Sequence, residues 1–265
     1  MSNSPMATSF AQRMEEGQAY WRTEAGRSLW ETQRACLGPV VEGRKGRHSL
    51  EMSMGPALMT MSAIPHVIHW SPNRAMAMSD SSLVCPPDQF ALPDRCLDAV
   101  VIHHWLEHLP EAHHTLQEAT RVLSDTGVLV LFGFNPIGLN GLTQRWRKQK
   151  AQFPWCGQWR TVNRLRDWLA FVDFEVERVD YCCFRGPMST TCGERWEALG
   201  RRHNLPLGES YMIQAQRRQR HAPVERLKFG LRAPASTSSL GATRSGASAR
   251  YSSGQSRLKK DSESE

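Results

Sequence analysis

The stretch from Leu97 to Asn135 sets the tightest limits on what this chain can fold into. Ala99–Val100–Val101–Ile102 is an apolar run too short for a helix and rich in β-branched residues, the pattern of a strand buried on both faces. From Pro110 the period changes. Ala112, Leu116, Ala119 and Val122–Leu123 recur at three and four, the stripe of a helix lying on a sheet. Asp125–Thr126–Gly127 breaks that stripe and predicts a turn, and Val128 to Phe132 is a second buried run. Strand, helix and strand within about 35 residues is the length of a βαβ crossover, which implies a parallel sheet covered by helices. Ligands in such sheets bind beyond the carboxyl ends of the strands. His103, His104 and Glu107 after the first strand, and Gly133, Phe134 and Asn135 after the second, therefore mark the place for a site.

These residues resemble class I S-adenosylmethionine-dependent methyltransferases, most closely their type 11 group. The segment Leu97–Asp98–Ala99–Val100–Val101–Ile102–His103–His104–Trp105–Leu106–Glu107–His108 is similar to the family's fourth strand and the loop after it. Arg121–Val122–Leu123 and Gly127 resemble the end of the next crossover, with Ser124–Asp125–Thr126–Gly127 where the family usually has Pro-Gly-Gly. Gly133–Phe134–Asn135–Pro136 resembles a bacterial branch of the group, as do Trp21–Arg22–Thr23 and Gly26–Arg27. The resemblance implies a Rossmann-like class I methyltransferase sandwich, a mostly parallel seven-stranded sheet with an antiparallel last strand and helices on both faces. It also implies S-adenosyl-L-methionine as cofactor and methyl transfer to an acceptor, a small molecule or another substrate, that the fold cannot name.

The same resemblance assigns candidate residues. His48 to Met52 reads as the first strand, followed by the turn Ser53–Met54–Gly55–Pro56. The family normally has an acidic residue and two or three glycines here, which let the backbone approach the cofactor without a Cβ clash. This chain keeps Glu51 at the acidic position, Ser53 and a single glycine, Gly55. His66 to Trp70 reads as the second strand, and Ser71–Pro72–Asn73 stands where a carboxylate usually meets the ribose hydroxyls, so Ser71 is the polar candidate there. After a third strand at Leu83–Cys85, Asp88–Gln89–Phe90–Ala91–Leu92–Pro93 resembles the element that faces the adenine, which makes Asp88 and Gln89 cofactor candidates. On sequence alone Asp88 reads equally well as a turn former or helix cap. His103 and His104 would lie over the cofactor, the candidate general bases are His103, His104 and His108, and Asn135 would face the acceptor. No metal is implied.

The rest of the chain predicts two helices between Phe10 and Leu37 interrupted at Gly17 and Gly26, a loop through Gly38–Pro39 and 42–47, and a Met- and Ala-rich helix from Ala57 to Ala63. It further predicts a helix at 162–169, a strand at 174–181, a helix at 194–202 and a last strand at 210–216, antiparallel to the one before. The organisation read from this pattern is N-terminal helices at 1–37, a methyltransferase-like domain at 38–217, and a basic Ser/Gly/Arg-rich disordered tail at 222–265.

Charge supports that division. Residues 214–265 hold 11 Lys/Arg against 4 Asp/Glu, so the whole formal excess of +7 lies there and the remainder is balanced. Such a tail can touch nucleic acid, although its two aromatic residues, Phe229 and Tyr251, are too few for a stacking platform. No apolar run reaches the roughly 20 residues of a membrane span. The seven scattered cysteines, without a CxxC pair, predict reduced thiols and a cytoplasmic protein.

His104–Trp105–Leu106–Glu107–His108 also spells H-x-x-E-H, which on a helix could hold zinc. Pro110 lies within one turn of it, which speaks against the helix that motif needs. Three other readings stay open beside the enzyme: a methyltransferase-fold binding module without activity, a nucleic-acid-associated protein, and the H-x-x-E-H zinc hydrolase.

Overall fold

The structure, a computed structural model, describes residues 5–77, 81–138, 141–142, 153–185 and 194–218. The expected tail at 222–265 and the basic segment at 144–150 lie outside the described residues. Two helices lead, α1 (Pro5–Trp21) and α2 (Glu24–Glu42). They divide at Arg22–Thr23 and not at a glycine, because Thr23 is an N-cap. Its hydroxyl accepts the Gly26 N–H at 3.1 Å, and Glu24 adds a negative charge to the first turn. Gly17 stays helical because it is a contact point: a Cβ there would come within 3.1 Å of Met54.

The expected loop at Gly38–Pro39 is instead part of α2. Proline inside a helix costs about 3 kcal/mol. Burial of Leu37, Val40 and Val41 against the sheet offsets it, at roughly 1.5–3 kcal/mol for each fully buried side chain of this kind.

One sheet of seven strands follows: β1 (His48–Ser53), β2 (His66–Ser71), β3 (Ser82–Val84), β4 (Leu97–His103), β5 (Leu123–Phe134), β6 (Phe174–Cys182) and β7 (Ser210–Arg217), in the order β3-β2-β1-β4-β5-β7-β6. Neighbours from β3 to β5 are parallel, and β7 runs antiparallel to both β5 and β6. Three more helices are described, α3 (Ala112–Val122), α4 (Val162–Phe171) and α5 (Glu194–Arg202). Side chains alternate across the strands. Val100 and Ile102 join Leu116, Ala119, Leu165 and Leu169 under α3 and α4, whereas Ala99 and Val101 meet Leu37, Val40 and Val41 of α2.

Three local expectations change. The segment 57–63 forms only a 3-10 turn at Met59–Met61. Pro56 and Pro65 bracket it, and α2 already covers that face, burying Leu58, Met59 and Ile64. The turn expected at 125–127 is absorbed into β5, which begins directly where α3 ends. Gly127 is needed there for close approach, since a Cβ would sit 2.8 Å from the Leu123 side chain and 3.1 Å from the Leu97 carbonyl oxygen. The expectation of reduced thiols fails at Cys183, which is disulfide-bonded, while Cys36, Cys85, Cys96, Cys156 and Cys182 are thiols. Cys182 and Cys183 enter different apolar clusters because the backbone at Cys183 is left-handed (φ 62°), so the two neighbours have different surroundings.

Candidate functional site

The strand order reverses between β1 and β4, the switch point where ligands of open α/β sheets bind. Glu51, Ser53, Gly55 and Ser71, which come from the ends of β1 and β2, line one cavity there together with Met14 of α1. The cavity holds only about 20 Å³, space for about one water molecule.

Each lining group is already engaged. The Glu51 carboxylate accepts the backbone N–H groups of Leu58 (2.6 Å) and Met59 (3.3 Å) and lies 3.8 Å from His69. Burial raises its pKa to about 7 in spite of the two backbone hydrogen bonds. The Ser71 hydroxyl donates to the Asn73 carbonyl at 2.8 Å. Gly55 lies under the indole of Trp21, and a Cβ would come 2.9 Å from that ring. The glycine is therefore required, but the surface it frees is taken by the chain's own tryptophan. Trp21 is 2% exposed, and its Nε1–H has no hydrogen-bond partner among the described residues.

Beneath Trp21 runs a buried hydrogen-bond chain. The Ser53 hydroxyl donates to His103 Nδ1 (2.9 Å), and His103 Nε2–H donates to Gln33 Oε1 (2.9 Å). Gln33 Nε2–H donates in turn to His104 Nε2 (2.8 Å), and His104 Nδ1–H donates to Glu107 Oε1 (3.3 Å). The donors all point one way, from the first loop towards Glu107, and this fixes the tautomers: hydrogen on Nε2 of His103 and on Nδ1 of His104. Burial holds the pKa of His103 well below its ordinary value, and the neighbouring His104 adds to that. Both imidazoles are fully buried, with every ring nitrogen bonded. In this arrangement neither offers a nitrogen to an acceptor. His104 also has a left-handed backbone (φ 56°), which turns the chain sharply at the end of β4 and sends Glu107 back under β5.

Glu107 ends the chain of hydrogen bonds. Burial alone would raise its pKa. Attraction to His104, the His104 hydrogen bond, His108 and the Phe134 N–H at 2.8 Å together hold it below the ordinary value. Both of its bonds fall on Oε1, and Oε2 has no partner among the described residues. Beside it the His108 ring is 4% exposed and stacks on Phe153 at 5.2 Å, with neither nitrogen partnered among the described residues. Burial pushes His108 down to about 4 against the pull of Glu107.

The remaining expected residues fall elsewhere. Asp88 and Gln89 are exposed on the loop before Phe90, outside the 20 Å³ cavity. Asn135 is buried, and its side chain is spent on the backbone: Nδ2 donates to the carbonyls of Pro206 and Gly208 (both 2.9 Å), and Oδ1 accepts the Ile137 N–H at 3.1 Å. The H-x-x-E-H letters do not lie on an α-helix. Leu106–His108 is a 3-10 turn that follows the left-handed His104. Among the described residues, one group could bring three metal-ligand atoms together, the exposed Glu111, His113 and His114. It sits at the amino end of α3, where the helix dipole disfavours a cation.

Sequence reading did not single out Gln33 or Trp21 as site residues, whereas it placed Glu107 at the candidate site and both Glu107 and His108 in the H-x-x-E-H motif. A signal existed for Gln33, a lone amide on the α2 stripe of Leu29, Cys36 and Leu37.

Three comparisons with known proteins bear on this arrangement. Residues 73–131 match a family described as a methyltransferase domain. Over 91 residues the chain is 37% identical to the uncharacterized protein YafS of Escherichia coli K12, a match that spans 34% of this chain and 38% of YafS. Among solved structures, a SAM-dependent methyltransferase from Thermotoga maritima superposes with a TM-score of 0.59 at 16% identity, covering 80% of this chain and 99% of that one. A SAM-dependent methyltransferase from Archaeoglobus fulgidus gives a TM-score of 0.51 at 20% identity, covering 72% and 96%. A chain of the complex between the Haloferax volcanii Trm112 methyltransferase activator and a methyltransferase gives 0.53 at 18%, covering 77% and 99%.

Proposed function

We propose that this chain, which has the fold of class I S-adenosylmethionine-dependent methyltransferases and a methyltransferase-domain match over 73–131, transfers a methyl group to an acceptor at the carboxyl ends of β1, β4 and β5. The observation that carries the reading is the convergence of Glu51, Ser53, Gly55 and Ser71 on one cavity at the switch point. Ligand pockets usually measure about 300–1,000 Å³, so the cavity admits the cofactor only when Trp21 leaves Gly55. With the indole withdrawn, the residues at the cavity fit: a glycine without a Cβ, the Ser53 hydroxyl and the Ser71 hydroxyl. When bound, S-adenosylmethionine supplies a methyl group on a sulfonium, a leaving group already activated for displacement. The chain supplies the rest by positioning and by excluding water. Its α1 covers the cleft, and the hydrogen-bond chain from Ser53 to Glu107 fixes the floor.

A second reading, a binding module of the same fold without activity, has one observation in its favour. No carboxylate stands at the end of β2, and Ser71 spends its hydroxyl on Asn73. Calorimetric titration with S-adenosylhomocysteine separates the two. Micromolar affinity, weakened about tenfold in Asp88→Ala, agrees with the enzyme reading. Absence of binding at millimolar ligand, in a folded sample, leaves only the fold. The described helices include none long and apolar enough to cross a membrane; we place the protein in the cytoplasm on its five free thiols, with the Cys183 disulfide standing against that placement. Nucleic-acid contact through the basic tail belongs to the same reading only if RNA affinity falls steeply with salt and is lost on removing 222–265.

A further inference from the structure

We propose that Glu107 and His108 form the floor of the methyl-acceptor site, and that the acceptor presents to them an amine bearing N–H. The inference rests on the methyl-transfer reading and names the substrate class for it.

Buried polar groups in folded proteins almost always have partners. Here three buried side chains have none among the described residues: Glu107 at Oε2, His108 at both nitrogens and Trp21 at Nε1, the last two rings lying 5.2 and 6.5 Å from Phe153. Glu107 is 3% exposed and His108 4%. An ionised carboxylate oxygen left without a hydrogen-bond donor in such surroundings is costly, even with the charge itself favoured by His104, His108 and Arg160. Its other oxygen is fixed by Phe134 N–H and His104 Nδ1–H, so Oε2 cannot turn towards those donors. What it lacks is an N–H or O–H from outside.

The walls favour nitrogen. Tyr20 stands 5.2 Å from Phe153 and 6.4 Å from Phe134, and Trp21 stands 6.5 Å from Phe153. Aromatic faces around a carboxylate attract an ammonium group, through its charge and its N–H together. Tyr20 and Phe153 are half-buried, so the cluster reaches the surface at those rings. On its far side Trp159, stacked on Phe134 at 5.0 Å, also lines an open groove of about 520 Å³, wide enough for the body of an acceptor. Gly157 closes the floor from above, where a Cβ would lie 2.9 Å from Glu107 and 3.1 Å from His108.

The full-length protein is titrated calorimetrically with benzylamine and with benzyltrimethylammonium, which keeps the charge and ring but has no N–H. Both titrations are repeated with Glu107→Gln and His108→Phe, with and without S-adenosylhomocysteine. Glu107→Gln keeps an oxygen for Phe134 and His104 but turns a donor towards the site. His108→Phe keeps the stack on Phe153 and removes the unpartnered nitrogens. We expect benzylamine to bind at least tenfold tighter than the quaternary salt, and each variant to lose tenfold or more. The thermal midpoint of His108→Phe should stay the same or rise, which a merely structural histidine would not allow. Equal binding of the two probes, no benzylamine binding at millimolar concentration, or variants that bind as the parent does would each overturn the assignment. Failure of S-adenosylhomocysteine alone to bind would instead overturn the methyl-transfer reading, with the amine titrations still deciding the site.

Discussion

Between β4 and β5 the chain crosses the sheet through α3, an 11-residue helix that buries Ala112, Leu116, Ala119 and Val122. Between β1 and β2 it crosses with a single 3-10 turn, and from β2 to β3 with another, at Arg74–Met76. The first half carries its own cover. The second borrows cover from α2 on one face and from α1 over its carboxyl end. Cohesion and ligand chemistry are therefore divided: fully buried apolar strands lie at β4 and β5, while the ionisable and strained groups gather where β1 and β4 end beneath a helix from elsewhere in the chain.

The largest effect that could break this comparison is on stability. Ile102, fully buried in β4, and Ile68, half-buried in β2, differ only in place. Ile102→Ala should cost about 2–5 kcal/mol in denaturant unfolding, and Ile68→Ala at most about 1 kcal/mol. Equal losses would mean that the two halves are packed alike.

A smaller effect follows from Glu51. Its folded pKa, about 7, lies above the ordinary 4.5, so the folded protein holds a proton that the unfolded chain has lost. Its contribution is fully present below pH 4.5 and is lost as the pH rises to 7, at most roughly 3 kcal/mol. Glu51→Gln should flatten that decline in a series of unfolding curves. A parent protein whose stability is unchanged over this range would contradict the buried, protonated carboxyl.

Smaller again is the coupling between α1 and the first loop. Gly55→Ala should destabilise by about 1–3 kcal/mol, the range for overpacking, because its methyl meets the Trp21 indole. In a Trp21→Ala background the same change should cost almost nothing, and additive losses in the double-mutant cycle would show that the two do not touch.

The β4–α3–β5 unit was legible because period and run length report burial directly, and the last helix and strands were legible for the same reason. The missing crossover helix was not. Met- and Ala-rich residues 57–63 have good helix propensity, but two bracketing prolines and a face already occupied by α2 outweigh it. The site was legible in part. Glu51, Ser53, Gly55 and Ser71 converge as their strand-end positions imply, whereas Asp88 and Gln89 stand apart from that cavity. The buried chain through Gln33 could not be read, since 70 residues separate Gln33 from His103 and periodicity carries no information about such pairs. The contact of Trp21 with Gly55 was hidden similarly, since the two lie on different elements and no periodicity joins them.

The central claim is that a working cofactor cleft lies beneath Trp21. Its most direct test is calorimetric titration of S-adenosylhomocysteine into the parent protein and into Trp21→Ala, with folding of both checked by circular dichroism. The account predicts that both bind and that the variant binds at least tenfold tighter, because the indole no longer competes for the space above Gly55. Two folded samples that both fail to bind at millimolar ligand would contradict it.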